Sequence, residues 1–188
     1  MHILIADDES IIRMGLKSML QHMGHEVLTA VNGREALRLL ERHTPDLAIL
    51  DIKMPFTDGL QAAKIIGQRH PMPVLILTAF SESELIDQAT DLPIHGYLIK
   101  PIQEEALAAA IAVARKRFAE TQALAARAGE LADSLESRKL IDRAKGRLMA
   151  EGLSEEAAYQ AMQKYARERQ QSLRAVAEAI LKNVKRDA

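Results

Sequence analysis

The sequence contains no cysteine and no tryptophan, and only 3% of its 188 residues are aromatic. The absence of cysteine excludes disulfides, thiolate metal sites and a cysteine nucleophile. No apolar run approaches the roughly 20 residues that are needed to cross a bilayer. The first ten residues lack the basic start and the long apolar stretch of a signal peptide. We therefore expect a soluble cytoplasmic protein with an aliphatic core.

Charge is distributed unevenly along the chain, although the net charge is only −1. Residues 1–136 hold 13 Lys and Arg against 19 Asp and Glu, whereas residues 137–188 hold 12 against 7. A basic tail on an acidic body suggests a polyanionic partner for the tail. A solvated helical surface that happens to be rich in arginine explains the same charge equally well.

Short apolar runs alternate with longer amphipathic stretches over the first 117 residues. The predicted strands are 2–6, 26–30, 47–50, 74–78 and 96–98, and the predicted helices are about 10–22, 33–42, 57–69, 82–91 and 102 onward. This alternation is typical of βαβ units and a parallel sheet. We predict an α/β domain over residues 1–118, a doubly wound (βα)5 sheet with the flavodoxin-like strand order.

A long helical stretch follows, because residues 104–141 contain no proline and only one glycine, Gly129. Its apolar residues have 4-3-4-3 spacing at first and then continue along one of two stripes. The first set is Leu107, Ile111, Ala114, Phe118 and Thr121; the continuation is Ala125, Ala128, Ala132 and Leu135, or Leu124, Ala128, Leu131 and Leu135. So narrow a stripe predicts a coiled-coil homodimer through helix 103–136, with 119–136 as the linker between domains. The alternative is a linker helix that packs back on its own domain.

Residues 137–188 are predicted to form a small all-α domain of three helices, at 137–151, 155–168 and 173–182. Gly152 and Leu153 separate the first two helices, and Ser154 is a candidate N-cap for the second.

Acidic residues and their partners stand at the carboxyl ends of four predicted strands. Asp7 and Asp8 follow the first strand and Asp51 the third, while Thr78 ends the fourth and Lys100 follows the fifth. In an open parallel sheet these ends converge where ligands bind. Clustered carboxylates require a cation, and all-oxygen ligation suits Mg²⁺. The set predicts a phosphoryl-transfer site with Asp51 as nucleophile, although each residue taken singly is an ordinary turn or cap residue.

The motifs ILIADDES, LDIKMPFTDG, LTAF and YLIKP resemble the receiver domain of two-component response regulators over about residues 1–120. The resemblance implies that Asp51 accepts phosphate from a sensor histidine kinase. It also implies Mg²⁺ held by Asp8, Asp51 and the backbone carbonyl of Lys53, with Asp7 contributing through water. The remaining implied roles are a switch hydroxyl at Thr78, a switch aromatic at Tyr97, a phosphate-pairing lysine at Lys100 and a cis peptide bond before Pro101.

The basic residues of the tail concentrate on its first predicted helix, at Arg138, Lys139, Arg143, Lys145 and Arg147. A helix-turn-helix DNA binder would place them on a C-terminal recognition helix instead. Gly146 leaves a side-chain-free surface where a phosphate backbone or a base could approach. Close helix–helix packing is the alternative reason for this glycine.

The stretch 138–181, with AKG-x-LM, GLS-x-x-x-AY and VAEAIL, resembles the ANTAR module, the RNA-binding domain of transcription antitermination regulators. The resemblance implies binding of RNA hairpins by a dimer and control of antitermination, without enzymatic activity. The implied RNA contacts are Ala144, Lys145, Gly146, Arg147 and Tyr159, with electrostatic support from Arg138 and Arg143. A DNA-binding transcriptional response regulator and a receiver with a protein-interaction tail remain as alternatives.

Overall fold

The computed structural model describes residues 1–79 and 92–183. The chain forms two compact units, Met1–Gln122 and Ala123–Ala188. The helix predicted at 82–91 lies outside the described residues. Among the described residues, no helix is long and apolar enough to span a membrane.

Five parallel strands form one sheet in the first unit. They are β1 (His2–Ala6), β2 (Glu26–Ala30), β3 (Leu47–Asp51), β4 (Val74–Thr78) and β5 (Gly96–Ile99). Their order is β2-β1-β3-β4-β5, with every neighbouring pair parallel. All residues of β3 and β4 are buried, because helices cover both faces of the sheet. The predicted flavodoxin-like fold is confirmed.

Three helices connect these strands: α1 (Ser10–His22), α2 (Gly33–Leu40) and α3 (Gly59–Arg69). Helices α2 and α3 begin at Asn32 and Asp58, whose side chains accept hydrogen bonds from the backbone N–H groups of Glu35 at 2.9 Å and Gln61 at 2.7 Å. These caps satisfy amides that no helical carbonyl can reach. One buried cluster lies between the sheet and α2 and α3, and a second lies on the opposite face with α1.

The long helix α4 runs without interruption over Glu104–Ala150, 47 residues. The prediction of a separate tail helix starting at 137 is therefore wrong. No proline interrupts this stretch, and the helix also continues through its two glycines, Gly129 and Gly146. Residues 119–136 and the first helical segment of the tail are parts of one helix.

The first part of α4 packs on its own domain. Leu107, Ile111 and Ala114 are buried in the cluster that contains α1, and the Phe118 ring meets the His95 ring edge-on at 5.3 Å between centroids. For this part of the predicted seam the intramolecular alternative is correct. Further along α4, three leucines are exposed on one stripe: Leu124 at 66%, Leu131 at 72% and Leu135 at 56%.

The second unit is completed by α5 (Glu155–Glu168) and α6 (Leu173–Asn183). Gly152, at φ +101°, ends α4 in a conformation that favours glycine. The Ser154 hydroxyl accepts from the Ala157 N–H at 3.2 Å, which confirms the predicted N-cap. A small aliphatic core joins the three helices: Ala144, Met162, Ala166, Val176 and Ala177.

Candidate functional sites

Asp51 is the last residue of β3, the central strand of the sheet, and its exposed fraction is only 6%. The chain turns tightly behind it, where the Gly59 N–H donates to the Ile52 carbonyl at 3.0 Å. A Cβ atom on Gly59 would collide with the backbone carbonyl of Asp51. The glycine therefore lets the start of α3 pack directly against the backbone at the end of β3.

Lys100 follows β5 and reaches back to the two buried aspartates. Its Nζ lies 2.5 Å from Asp51 Oδ1 and 3.0 Å from Asp7 Oδ2. The peptide bond between Lys100 and Pro101 is cis, as the resemblance to receiver domains implies. Thus β1, β3 and β5 deliver these three charged groups to one edge of the sheet, the geometry expected for the ends of parallel strands.

Burial and neighbouring charges both shift the pKa values of Asp51 and Lys100. Burial raises the pKa of Asp51; the ammonium of Lys100 lowers it, and the charges of Asp7 and Asp8 raise it again. Burial alone would lower the pKa of Lys100, but its hydrogen bonds to Asp51 and Asp7 outweigh that effect and the pKa is raised. Lys100 therefore stays protonated beside the carboxylates.

Asp7 is fully buried, and both of its carboxylate oxygens are occupied. Oδ1 accepts from the Glu9 N–H at 2.8 Å, while Oδ2 faces Lys100. The backbone carbonyl of Asp7 also accepts from Arg13 Nη1 at 2.6 Å. Asp8 is exposed, and it borders an open cleft of about 550 Å³ together with Lys53 and the loop that follows.

The chemistry of this donor set fits Mg²⁺. Asp8 and Asp51 offer carboxylate oxygens and Lys53 a backbone carbonyl, and the open cleft leaves room for water. Among residues 1–79 and 92–183, no three acidic or histidine side chains form a ready-made cation cage. Protein-bound Mg²⁺ usually retains several waters and takes only one or two carboxylates.

Thr78 and Tyr97 lie on adjacent strands next to this cluster. Thr78 is 1% exposed and its hydroxyl donates to the Ala79 carbonyl at 3.0 Å. Tyr97 pairs with Ile76 across β4 and β5; it is 36% exposed, and burial raises the pKa of its phenol. The structure thus places a buried hydroxyl and a partly exposed aromatic at the predicted switch positions.

The outward face of α4 carries two basic residues of the tail that form no ion pair with another described residue. Lys139, Arg143 and Gly146 are exposed and share one helical face at spacings of four and three. Neither Lys139 nor Arg143 forms an ion pair with another described residue. No described atom lies within 4 Å of where a Cβ atom of Gly146 would stand, so helix packing within this chain does not explain the glycine.

Ala144 has to be removed from the predicted RNA contacts. It is fully buried in the core with Met162 and Val176, so its side chain cannot reach a nucleic acid. The AKG segment therefore contains one core residue and two residues, Lys145 and Gly146, at the helix surface.

The two remaining basic residues near Gly146 are engaged with acids. Lys145 Nζ lies 2.8 Å from Glu155 Oε1 and 3.1 Å from Asp142 Oδ1. The ring of Tyr159, which is 40% exposed, is centred 6.0 Å from the same nitrogen. Arg147 Nε pairs with Glu151 at 3.2 Å, whereas Arg138 is exposed and forms no ion pair with a described residue.

Sequence reasoning missed the acidic partners of Lys145. The spacing of Asp142 and Lys145 on one helix gives a local signal for their pair. Glu155 gives none, because it comes from the next helix. Phe56 has φ +70° in the loop after β3, and its ring lies 4.9 Å from the Arg34 guanidinium; no sequence signal indicates either feature.

The family model of the response regulator receiver domain matches residues 3–112, and that of the ANTAR domain matches residues 129–181. With the five-stranded parallel sheet and the acidic cluster at its edge, these matches define a two-component response regulator. The chain belongs to the response regulator receiver family, and its C-terminal part is an ANTAR domain.

Known proteins resemble the chain over different lengths. The transcriptional regulatory protein PdtaR of Mycobacterium tuberculosis is 41% identical over 184 residues, 97% of this chain and 90% of that protein. YdfI of Bacillus subtilis, another transcriptional regulatory protein, is 36% identical over 107 residues, 56% of this chain and 50% of that protein. A receiver domain protein from Clostridium thermocellum has a TM-score of 0.54 and 34% identity, covering 62% of this chain and 94% of that one.

Proposed function

We propose that this protein is a phosphorylation-controlled, RNA-binding regulator of transcription antitermination, and that it acts as a homodimer. In the proposed organisation, residues 1–118 are the receiver, 119–136 the helical linker and 137–188 the RNA-binding domain. The observation that carries the proposal is the pairing of buried Asp51 with Lys100 in the same chain as an ANTAR domain with an unpaired basic face.

In the proposed reaction, Asp51 attacks the phosphorus of a phosphohistidine on a sensor histidine kinase. The bond between phosphorus and the imidazole nitrogen breaks, and an acyl phosphate forms on the Asp51 carboxylate. Lys100, already 2.5 Å from Asp51, remains protonated and neutralises charge on the transferred group. This chemistry depends mainly on positioning and charge neutralisation, and the Thr78 hydroxyl is the third side chain proposed to contact the transferred group.

Asp8, Asp51 and the Lys53 carbonyl would hold Mg²⁺, with Asp7 acting through water. When bound, the ion supplies positive charge that offsets the clustered carboxylates and the phosphoryl oxygens. The Lys100 ammonium and the Glu9 amide hold the Asp7 carboxylate in place. Asp7 would contact the ion through a water molecule.

The proposed switch uses Thr78 and Tyr97. The Thr78 hydroxyl would leave the Ala79 carbonyl to bond a phosphoryl oxygen, and Tyr97 would move toward the space that Thr78 vacates. Phosphorylation can shift this equilibrium only by the difference in free energy with which the phosphate stabilises the two states.

The stripe Leu124, Ala128, Leu131 and Leu135 is the proposed dimer seam. The exposure of its leucines favours this stripe over the alanine-rich alternative. Such a seam spans fewer than two heptads, so it offers few apolar contacts to hold two long helices together. We therefore expect phosphorylated receivers to contribute to dimer formation.

Replacing Asp51 tests the phosphoacceptor. Asp51→Asn should abolish labelling by acetyl phosphate in the presence of Mg²⁺, because an amide cannot form the acyl phosphate. Asp46→Asn is the matched control, since Asp46 lies just before the opposite end of β3 and accepts a hydrogen bond from the His2 N–H. Persistent labelling of the Asp51→Asn protein would place the nucleophile elsewhere.

Binding of stem-loop RNA tests the output. We expect the phosphorylated protein to prefer stem-loops over duplex DNA of the same length, with an affinity that falls as salt rises. Equal or stronger binding to duplex DNA would support a DNA-binding regulator instead. No binding to either nucleic acid would support a tail that binds protein.

A further inference from the structure

Lys145 is the most enclosed of the basic residues on α4. Its side chain is 18% exposed, and its ammonium group contacts Glu155 from α5 and Asp142 from one turn earlier on α4. An ammonium group has three N–H donors, and two of them point at these carboxylates. Tyr159 lies beside the same group.

The net charge of the group formed by Lys145, Asp142 and Glu155 repels phosphate. One lysine faces two carboxylates, so the three groups together carry a charge of −1, and Glu156 adds another acid in the same turn of α5. The pKa of Lys145 is raised, first by its hydrogen bond to Glu155 and then by that to Asp142. The lysine is charged at neutral pH, as an unperturbed lysine is, and its two carboxylate contacts favour that charged form.

The outward face of α4 offers phosphate a different environment. Lys139 and Arg143 are exposed and form no ion pairs with other described residues, and Gly146 lies between them and the lysine corner. A polyanion can bind these two cations without breaking an existing interaction. To use Lys145 it must approach an ammonium group that two carboxylates already contact, at 2.8 and 3.1 Å.

We propose that Glu155 is a specificity-determining residue of the tail, which, with Asp142, withholds Lys145 from phosphate groups. A polyanion that binds through charge alone gains no affinity from Lys145. The inference rests on the proposed RNA-binding function and concerns which cations contribute to it.

Glu155 also lies in the first turn of α5, where any carboxylate favours the positive end of the helix dipole. Glu156 occupies the same turn but does not contact Lys145; its carboxylate accepts a weak hydrogen bond from Gln160 at 3.5 Å. The substitutions Glu155→Gln and Glu156→Gln therefore change net charge and helix dipole equally. They differ in the contact with Lys145.

The experiment compares the full-length wild type with both variants. The probes are a pool of stem-loop RNAs with a randomised loop, titrated across a range of KCl concentrations, and a heparin column. Glu155→Gln should bind the pool several-fold more tightly, elute later from heparin and steepen the slope of log K against log[salt] by about 0.7 to 0.9, the value of one added phosphate contact. Glu156→Gln should leave the slope unchanged.

A variant that lacks Lys145 tests whether the effect of Glu155→Gln depends on this lysine. In a Lys145→Met protein, Glu155→Gln should no longer steepen the slope, and circular dichroism melting curves confirm that each variant is folded. Equal effects of the two glutamine variants, or weaker binding by Glu155→Gln, would overturn the proposal. A shift on heparin by Glu155→Gln alone, without stem-loop binding by any variant, would support the withheld lysine while refuting the RNA-binding function.

Discussion

Replacing Gly146 with alanine should stabilise the tail and weaken RNA binding at the same time. Glycine in a helix interior costs about 0.8–1.0 kcal/mol relative to alanine. A Cβ atom at this position meets no described atom within 4 Å, so the substitution adds no clash inside the chain. We expect about 1 kcal/mol of added stability, which raises the melting temperature of a unit of this size by about 4–8 °C.

The expected effect on RNA has the opposite sign. Gly146 lies on the same face as Lys139 and Arg143, and a methyl group there would hold a phosphate backbone away from both cations. Hydrogen bonds to charged groups contribute about 1.5–3 kcal/mol, so weakening one of them predicts about a tenfold loss of affinity for stem-loop RNA.

Gly129→Ala provides the matched control. Gly129 lies in the same helix with equally open surroundings and lies away from the proposed RNA face. It should give a similar gain in thermal stability with unchanged RNA affinity, measured by melting curves and fluorescence anisotropy. If Gly146→Ala binds RNA as tightly as the wild type, no close approach occurs there; if it destabilises the fold, the glycine serves packing.

Two further predictions concern dimerisation and pH. Leu131→Asp should weaken self-association of the phosphorylated protein at least about tenfold in analytical ultracentrifugation, since it places a charge in an apolar seam, whereas Ala126→Asp on the opposite face should not; equal effects would exclude the seam. Burial and Arg117 lower the pKa of His95, whose Nδ1 accepts from the Val74 N–H at 3.1 Å. The unfolded chain therefore binds the proton more readily, and stability should fall as pH drops below about 6.5. In urea unfolding His95→Asn should flatten this dependence, and an unchanged profile would assign it to other groups.

The clustering of Asp7, Asp51 and Lys100 was predictable because a regular topology determines it, although 93 residues separate Asp7 from Lys100. Asp51 and Lys100 each stand at the end of an apolar strand, and parallel strands joined by helices bring such ends to one edge. Position along the strand therefore determined proximity in space. The sequence could not show which carboxylate Lys100 approaches more closely, since that depends on the closure of the loop between β3 and α3.

The tail was less predictable because its contacts depend on how helices pack. Alanine is compatible with both a core and a surface, so the AKG motif alone did not show that Ala144 is buried. The start predicted at 137 was wrong because a change of function along a chain requires no break in the helix. Only proline, or glycine in a suitable context, would have given a physical reason for one.

Lys100 and Lys145 are both surrounded by carboxylates, but those carboxylates differ in how far they are buried. Lys100 and Lys145 have side chains that are 17% and 18% exposed, and each contacts two carboxylates within 3.1 Å. Lys100 also lies 3.6 Å from the exposed Glu9. The acids differ: the Asp7 and Asp51 side chains are 0% and 8% exposed, whereas those of Asp142 and Glu155 are 57% and 68% exposed.

Buried like charges repel strongly unless a cation joins them, because little water screens them. In the proposed function, a divalent ion would offset the repulsion within the receiver cluster when the phosphoryl group is transferred. In the tail, water already solvates the two acids, and no dication is needed to keep them together. Their charge remains to repel phosphate from Lys145, whereas in the proposed receiver reaction a bound cation would offset the repulsion between the acids and the phosphoryl group.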